Sequence, residues 1–183
     1  MNRRDFHIAI VGGLVRAAAG PSSAQEPEDE YTVKTSYVYN YCNYIRWPGY
    51  VAPKVVTVGL MGTALTDRAT LETISLLEGQ VVEGRKIVVK KFASPDKYAP
   101  CDLVYVTGSD ARALEAIKLI AKQTAQQPVV IVGEAAKALE SGATINFVRV
   151  GDKIKFEINR PAAERAKLTI SAKLQRLAIN KPE

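Results

Sequence analysis

The stretch Thr144–Asn159, TINFVRVGDKIKFEIN, constrains the chain most, because only one register keeps its faces distinct. Gly151-Asp152 is a two-residue turn that suits the right-handed twist of a β-hairpin. With that pair at the tip, Val150 faces Lys153, Phe147 faces Phe156, Asn146 faces Glu157, Ile145 faces Ile158 and Thr144 faces Asn159. Ile145, Phe147, Ile154, Phe156 and Ile158 then share one face. Thr144, Asn146, Lys155, Glu157 and Asn159 share the other, with Val148 and Val150 among them. A slip of one residue would mix the two faces.

Ahead of the hairpin, strands alternate with helices. Val55–Met61, Lys86–Phe92, Asp102–Thr107 and Pro128–Val132 read as short apolar strands. Ala64–Leu77 and Ala111–Thr124 read as helices, and a short helix follows Gly133-Glu134. Gly79–Gly84 reads as a turn region. The alternation predicts an α/β fold: a mixed, mainly parallel sheet with helices on both faces and the antiparallel hairpin at the C-terminal side. An opening helix is expected over Tyr31–Arg46, from the stripe Val33, Tyr37, Tyr41 and Tyr44, and Trp47-Pro48 ends it. A closing helical segment is expected over Arg160–Asn180.

Residues 1–24 resemble an export signal: Arg3-Arg4 before Phe6, a short apolar stretch, then small residues before Gln25. Cleavage there would leave an acidic leader over residues 25–30 and a single domain over 31–180. It would lower the net charge from +6 to +4, since the removed part holds three arginines and one aspartate. It would also remove His7, the only histidine, and with it the usual Ser-His-Asp and Cys-His catalysis and histidine-ligated zinc. The basic residues are scattered and not interleaved with aromatics, which disfavours nucleic-acid binding. No apolar run is long enough to span a bilayer.

Ordered pieces of the chain carry a resemblance. Tyr31, Lys34, Tyr37, Asn40, Tyr44 and Trp47-Pro48, then INF, FEIN and ISAKLQRLA, are similar to the YfiR-like family of periplasmic regulators. The resemblance implies a non-enzymatic periplasmic protein, without cofactor or metal. Such a protein binds and restrains an inner-membrane signalling protein, typically a diguanylate cyclase. The other reading is an exported small-ligand-binding domain, acting alone or feeding a sensor kinase. This chain has two cysteines, fewer than the relatives that use them for disulfides.

Four groups of residues follow as candidates. Tyr39, Asn43, Arg46, Trp47 and Tyr50 lie on or after the aromatic helix and are expected to contact the partner or a second copy of the chain. Thr63, Ser109 and Glu134 follow strand ends, where open α/β sheets bind ligands; the competing view is that they are ordinary strand-to-helix loops. Asn40, Asn146, Glu157, Asn159 and Lys173 are expected to form a polar cluster joining the hairpin to a neighbouring helix, with Glu157 as its charged member. Cys42 and Cys101 are expected either to form one disulfide or to remain separate buried thiols.

Overall fold

The structure, a computed structural model, describes residues 30–48 and 55–180. The proposed export signal, most of the leader and Tyr50 lie outside the described residues. Helix α1 (Glu30–Tyr44) leads into the short strand β1 (Ile45–Arg46). Then follow β2 (Val55–Gly62), α2 (Arg68–Ser75), β3 (Val81–Val82), β4 (Arg85–Lys91), β5 (Leu103–Thr107), α3 (Ala111–Gln123) and β6 (Val130–Gly133). The hairpin strands are β7 (Ile145–Val150) and β8 (Lys153–Ile158). Helix α4 (Arg160–Arg165), β9 (Thr169–Ile170) and α5 (Ala172–Leu177) close the fold.

Seven strands form one sheet in the order β3-β4-β2-β5-β6-β7-β8. The five inner strands run parallel, and each edge strand is the antiparallel partner of its neighbour. The mixed, mainly parallel architecture is therefore the expected one. The hairpin has the expected register, with Phe147 opposite Phe156 and Asn146 opposite Glu157. Gly151 takes φ 58 at the first turn position, where an L side chain is strained.

The sheet separates two apolar clusters. Leu103 and Tyr105 of β5 point to the larger one, with Val38, Tyr41 and Cys42 of α1, Ile74 of α2 and Leu174 of α5. Val104 and Val106 point to the other, with Ile117 and Ile120 of α3. Alternating strand residues thus feed both layers, which is why the strands read as continuous apolar runs.

Several elements differ from the periodicity. Residues 45–46 leave the helix to pair with β9, forming a separate two-stranded sheet. The closing segment is not one helix. Asn159 caps α4, Lys167 turns the chain with φ 55, and Ser171 caps α5. Asp67 caps α2, so that helix starts four residues after Ala64. Residues 79–84 are not only a turn: they contain β3 and a tight turn through Glu83 and Gly84, both at positive φ. After β6 the chain makes turns and not a helix.

Cys42 and Cys101 are free thiols. Cys42 belongs to the cluster under α1, whereas Cys101 packs against the cluster on the opposite face. A disulfide needs its Cα atoms within about 7 Å, which a sheet between them prevents. Of the two expected states, the structure has the separate thiols. Burial pushes Cys42 up to about 12 and Cys101 up to about 11, so both stay protonated and unreactive near neutrality. The expected outcome is an intact mass unchanged by reduction, with Cys42 alkylated only on unfolding. A gain of two hydrogens on reduction would show a bond.

Candidate functional site

The sheet has a topological switch between β2 and β5. The connection after β2 passes through α2 on one face, and that after β5 passes through α3 on the other. Ligands of open α/β sheets bind in the crevice beyond the strand ends at such a point. Here Gly62 stands opposite Thr107, so Thr63 and Gly108 emerge side by side. A Cβ placed on Gly108 would lie 3.1 Å from Thr63 Cγ2.

Glu134, one residue past β6, turns its carboxylate into this crevice. Its Oε1 accepts from Gly108 N at 2.5 Å and Tyr31 Oη at 3.0 Å. Its Oε2 accepts from Lys34 Nζ and Tyr105 Oη, both at 2.6 Å. A carboxylate offers about four acceptor directions, and all are filled. The Glu134 and Lys34 side chains are only 6% and 5% exposed. Gly133, just before it, lets Ile117 of α3 and Ala138 pack close to the strand end, since a Cβ there would come 2.8 Å from Ile117 Cδ1 and 2.9 Å from Ala138 Cβ.

Helix α1 covers the crevice with its first turns. Glu30 bonds Lys34 at 2.5 Å and pairs with Arg149 on the hairpin. Lys34 also lies 4.7 Å over the Tyr31 ring. Lys34 is thus a buried cation between two carboxylates. It stands on the same stripe as Val38 and Tyr41, a place where an apolar residue is the rule.

The expected ligand residues meet at this edge in part: Glu134 fills it, Thr63 borders it, and Ser109 is exposed beside Gly108. The expected polar cluster does not assemble as one. Helices α1 and α5 pack on the apolar hairpin face, so Asn146 and Glu157 point away from them. Glu157 has no ion pair among the described residues. Asn146 is buried with its Oδ1 unpartnered. Asn159 caps α4 and donates to Leu139 O, Lys173 donates to Tyr44 Oη at 2.7 Å, and Asn40 is half-buried. The charged link from hairpin to helix is Arg149–Glu30 instead.

The aromatic-helix candidates divide as well. Tyr39 donates to Val81 O at 3.0 Å on the β3 edge. Arg46 forks onto Glu83, and its Nη1 also donates to the Asn43 carbonyl at 3.2 Å. Trp47 is internal, 5% exposed, with Nε1 donating to Asp102 O at 3.0 Å. Among the described residues there is no group of three or more potential metal ligands, and no helix is long and apolar enough to cross a membrane.

Removing the hub carboxylate strands the Tyr105 hydroxyl and leaves the buried Lys34 with Glu30 as its one carboxylate. Glu134→Ala is expected to cost about 3–5 kcal/mol of stability. Chemical unfolding measures this, and the Lys34→Met, Glu134→Leu double variant is expected to lose less than the sum of its parts. A second expectation concerns pH. Burial, then Glu134, pushes Tyr31 and Tyr105 above the ordinary phenol range, and burial does the same to Tyr41. The folded state therefore holds protons that the unfolded chain releases. This contribution is whole below about pH 10 and is lost as pH rises through the folded values. Phenolate absorbance of these residues is expected to appear together with loss of structure; a full titration of all tyrosines in folded protein would contradict it.

The sequence profile of the YfiR/HmsC-like family matches residues 31–179. No curated protein matches the chain. A crystal structure of a conserved domain protein from Vibrio cholerae O1 biovar El Tor is similar, with TM-score 0.54 and 16% identity. The similarity covers 81% of this chain and 60% of that one. The ABC domain from Streptococcus pneumoniae in complex with L-Trp is similar with TM-score 0.54 and 13% identity, covering 77% of this chain and 58% of that one. The chain spans less than two thirds of either protein, and at these identities the likeness shows the fold alone. The match over residues 31–179 settles the family: this chain belongs to the YfiR/HmsC-like proteins.

Proposed function

We propose that this protein is a non-enzymatic periplasmic regulator that binds and restrains an inner-membrane signalling protein, a diguanylate cyclase before a sensor kinase. Family membership supports the regulatory class. The observation that carries the reading furthest is the internal plug. The crevice where an α/β sheet takes its substrate is filled by the chain's own Glu134 and covered by Tyr31 and Lys34. A small-ligand module would need an anion to displace that carboxylate from four donors. The working surface is then a protein-binding face.

The face we assign runs along α1 and the β3 edge. Tyr39, Asn43 and Arg46 lie there beside Val81, which is 51% exposed. Tyrosine and arginine are the usual anchors of such faces. Trp47 is part of the core and serves the face only by positioning the end of α1. A second copy of the chain on the same face is the competing occupant.

Deleting the gene is expected to raise cellular cyclic-di-GMP. An unchanged level would remove the cyclase from consideration. Arg46→Ala with Tyr39→Ala is expected to reproduce the deletion while lowering stability by only about 1–2 kcal/mol, the worth of an exposed ion pair and one hydrogen bond. A folded double variant that still represses would move the contact elsewhere.

A further inference from the structure

The closing segment concentrates unpaired positive charge. Residues 160–180 hold Arg160, Arg165, Lys167, Lys173 and Arg176 against one carboxylate, Glu164. None of the five forms an ion pair among the described residues. The same region is apolar at its surface, with Leu177 54% and Ile179 43% exposed.

Local geometry brings these features together. Lys173 and Leu177 are four apart on α5 and share one face, with Arg176 beside them. Ala178 is buried and has extended backbone, φ −66 and ψ 146. Its neighbours Leu177 and Ile179 therefore point the other way, outward. Lys173 also sits 4.6 Å over the half-buried ring of Tyr44, bringing an aromatic to the same surface.

The apolar residues are fixed in place. Ile179 N donates to Phe156 O at 3.0 Å. The Asn180 side chain accepts from Ile158 N and donates to Ile158 O, both at 2.8 Å. Three hydrogen bonds thus hold rigid a segment that presents aliphatic side chains to the outside.

We propose that Tyr44, Lys173, Arg176, Leu177 and Ile179 form a surface that docks the protein onto an anionic phospholipid layer. Exposed aliphatics enter the headgroup boundary, cations meet the phosphates, and a tyrosine ring sits at headgroup level. Protein-binding cores are by contrast poor in lysine. This surface includes neither Arg46 nor Tyr39, and it acts without any partner protein, so it stands apart from the regulatory reading.

Sedimentation with vesicles tests it. Wild-type protein is expected to bind phosphatidylcholine vesicles only when they contain phosphatidylglycerol, and to release them in high salt. Lys173→Ala with Arg176→Ala is expected to lower the partition coefficient roughly 25-fold, from about 1 kcal/mol per cation. Leu177→Ser with Ile179→Ser is expected to weaken binding at unchanged melting temperature. The wild-type-to-variant difference reads this surface whatever residues 1–24 contribute. Equal binding to neutral vesicles, or full binding by the folded variants, would overturn the proposal. So would a wild-type protein that binds an acidic peptide but no vesicle, which would assign the surface to a protein partner.

Discussion

One carboxylate sets the arrangement of the fold. Glu134 joins three separate parts of the chain: the first turns of α1 through Tyr31 and Lys34, the middle strand β5 through Tyr105, and the switch-point loop through Gly108. Such a group tolerates burial only when every acceptor site is used. The same requirement ties the parts together, since losing any donor leaves charge in a dry place. Lys34 has the mirrored problem and the mirrored solution, with Glu30 on one side and Glu134 on the other.

From this contact follows the layering. With its N-terminal turn anchored over the strand ends, α1 lies along the sheet and covers Phe147 and Phe156 with Tyr37 and Tyr41. Its far end is held by β1 pairing with β9 and by Arg46 on Glu83. Helix α5 completes that layer beside it. The opposite face needs only α3, because the turns after β6 bring Ala135, Ala138 and Ala143 against it.

Much of this was legible in the sequence. The hairpin register followed from Gly151-Asp152 and the face pattern, and the parallel core followed from alternating strands and helices. The hub was only half visible. Glu134 stood out by its place after a strand, but its partners did not. Lys34 lies on an apolar stripe, where periodicity alone gives lysine no role, and Tyr105 looked like any strand aromatic. The signal that could have found Lys34 is its spacing from Val38 and Tyr41, which forces a cation inward and so demands an acid. The hairpin's polar face misled for a related reason. Pairing shows which residues oppose each other, but not which face the helices will cover. Short elements escaped because caps at Asp67, Asn159 and Ser171 outweigh a helical stripe within a few residues.

The contacts of α1 have a consequence for how the chain reaches this state. Lys34 finds Glu134 across 100 residues, Tyr31 across 103, Glu30 finds Arg149 across 119, and Tyr44 finds Lys173 across 129. The later turns of α1 can dock early, on α2 and the β3 edge, but its first turns have no charged partner until Glu134 and Arg149 are made. Pairings of such sequence separation close slowly, because loop entropy is lost before contacts return it. Without α1, Phe147 and Phe156 would lose the cover of Tyr37 and Tyr41 and, with Tyr105, leave aromatic rings bare on the sheet. Exposed aromatic surface of that kind is what opens a partly folded chain to aggregation or to capture by a chaperone.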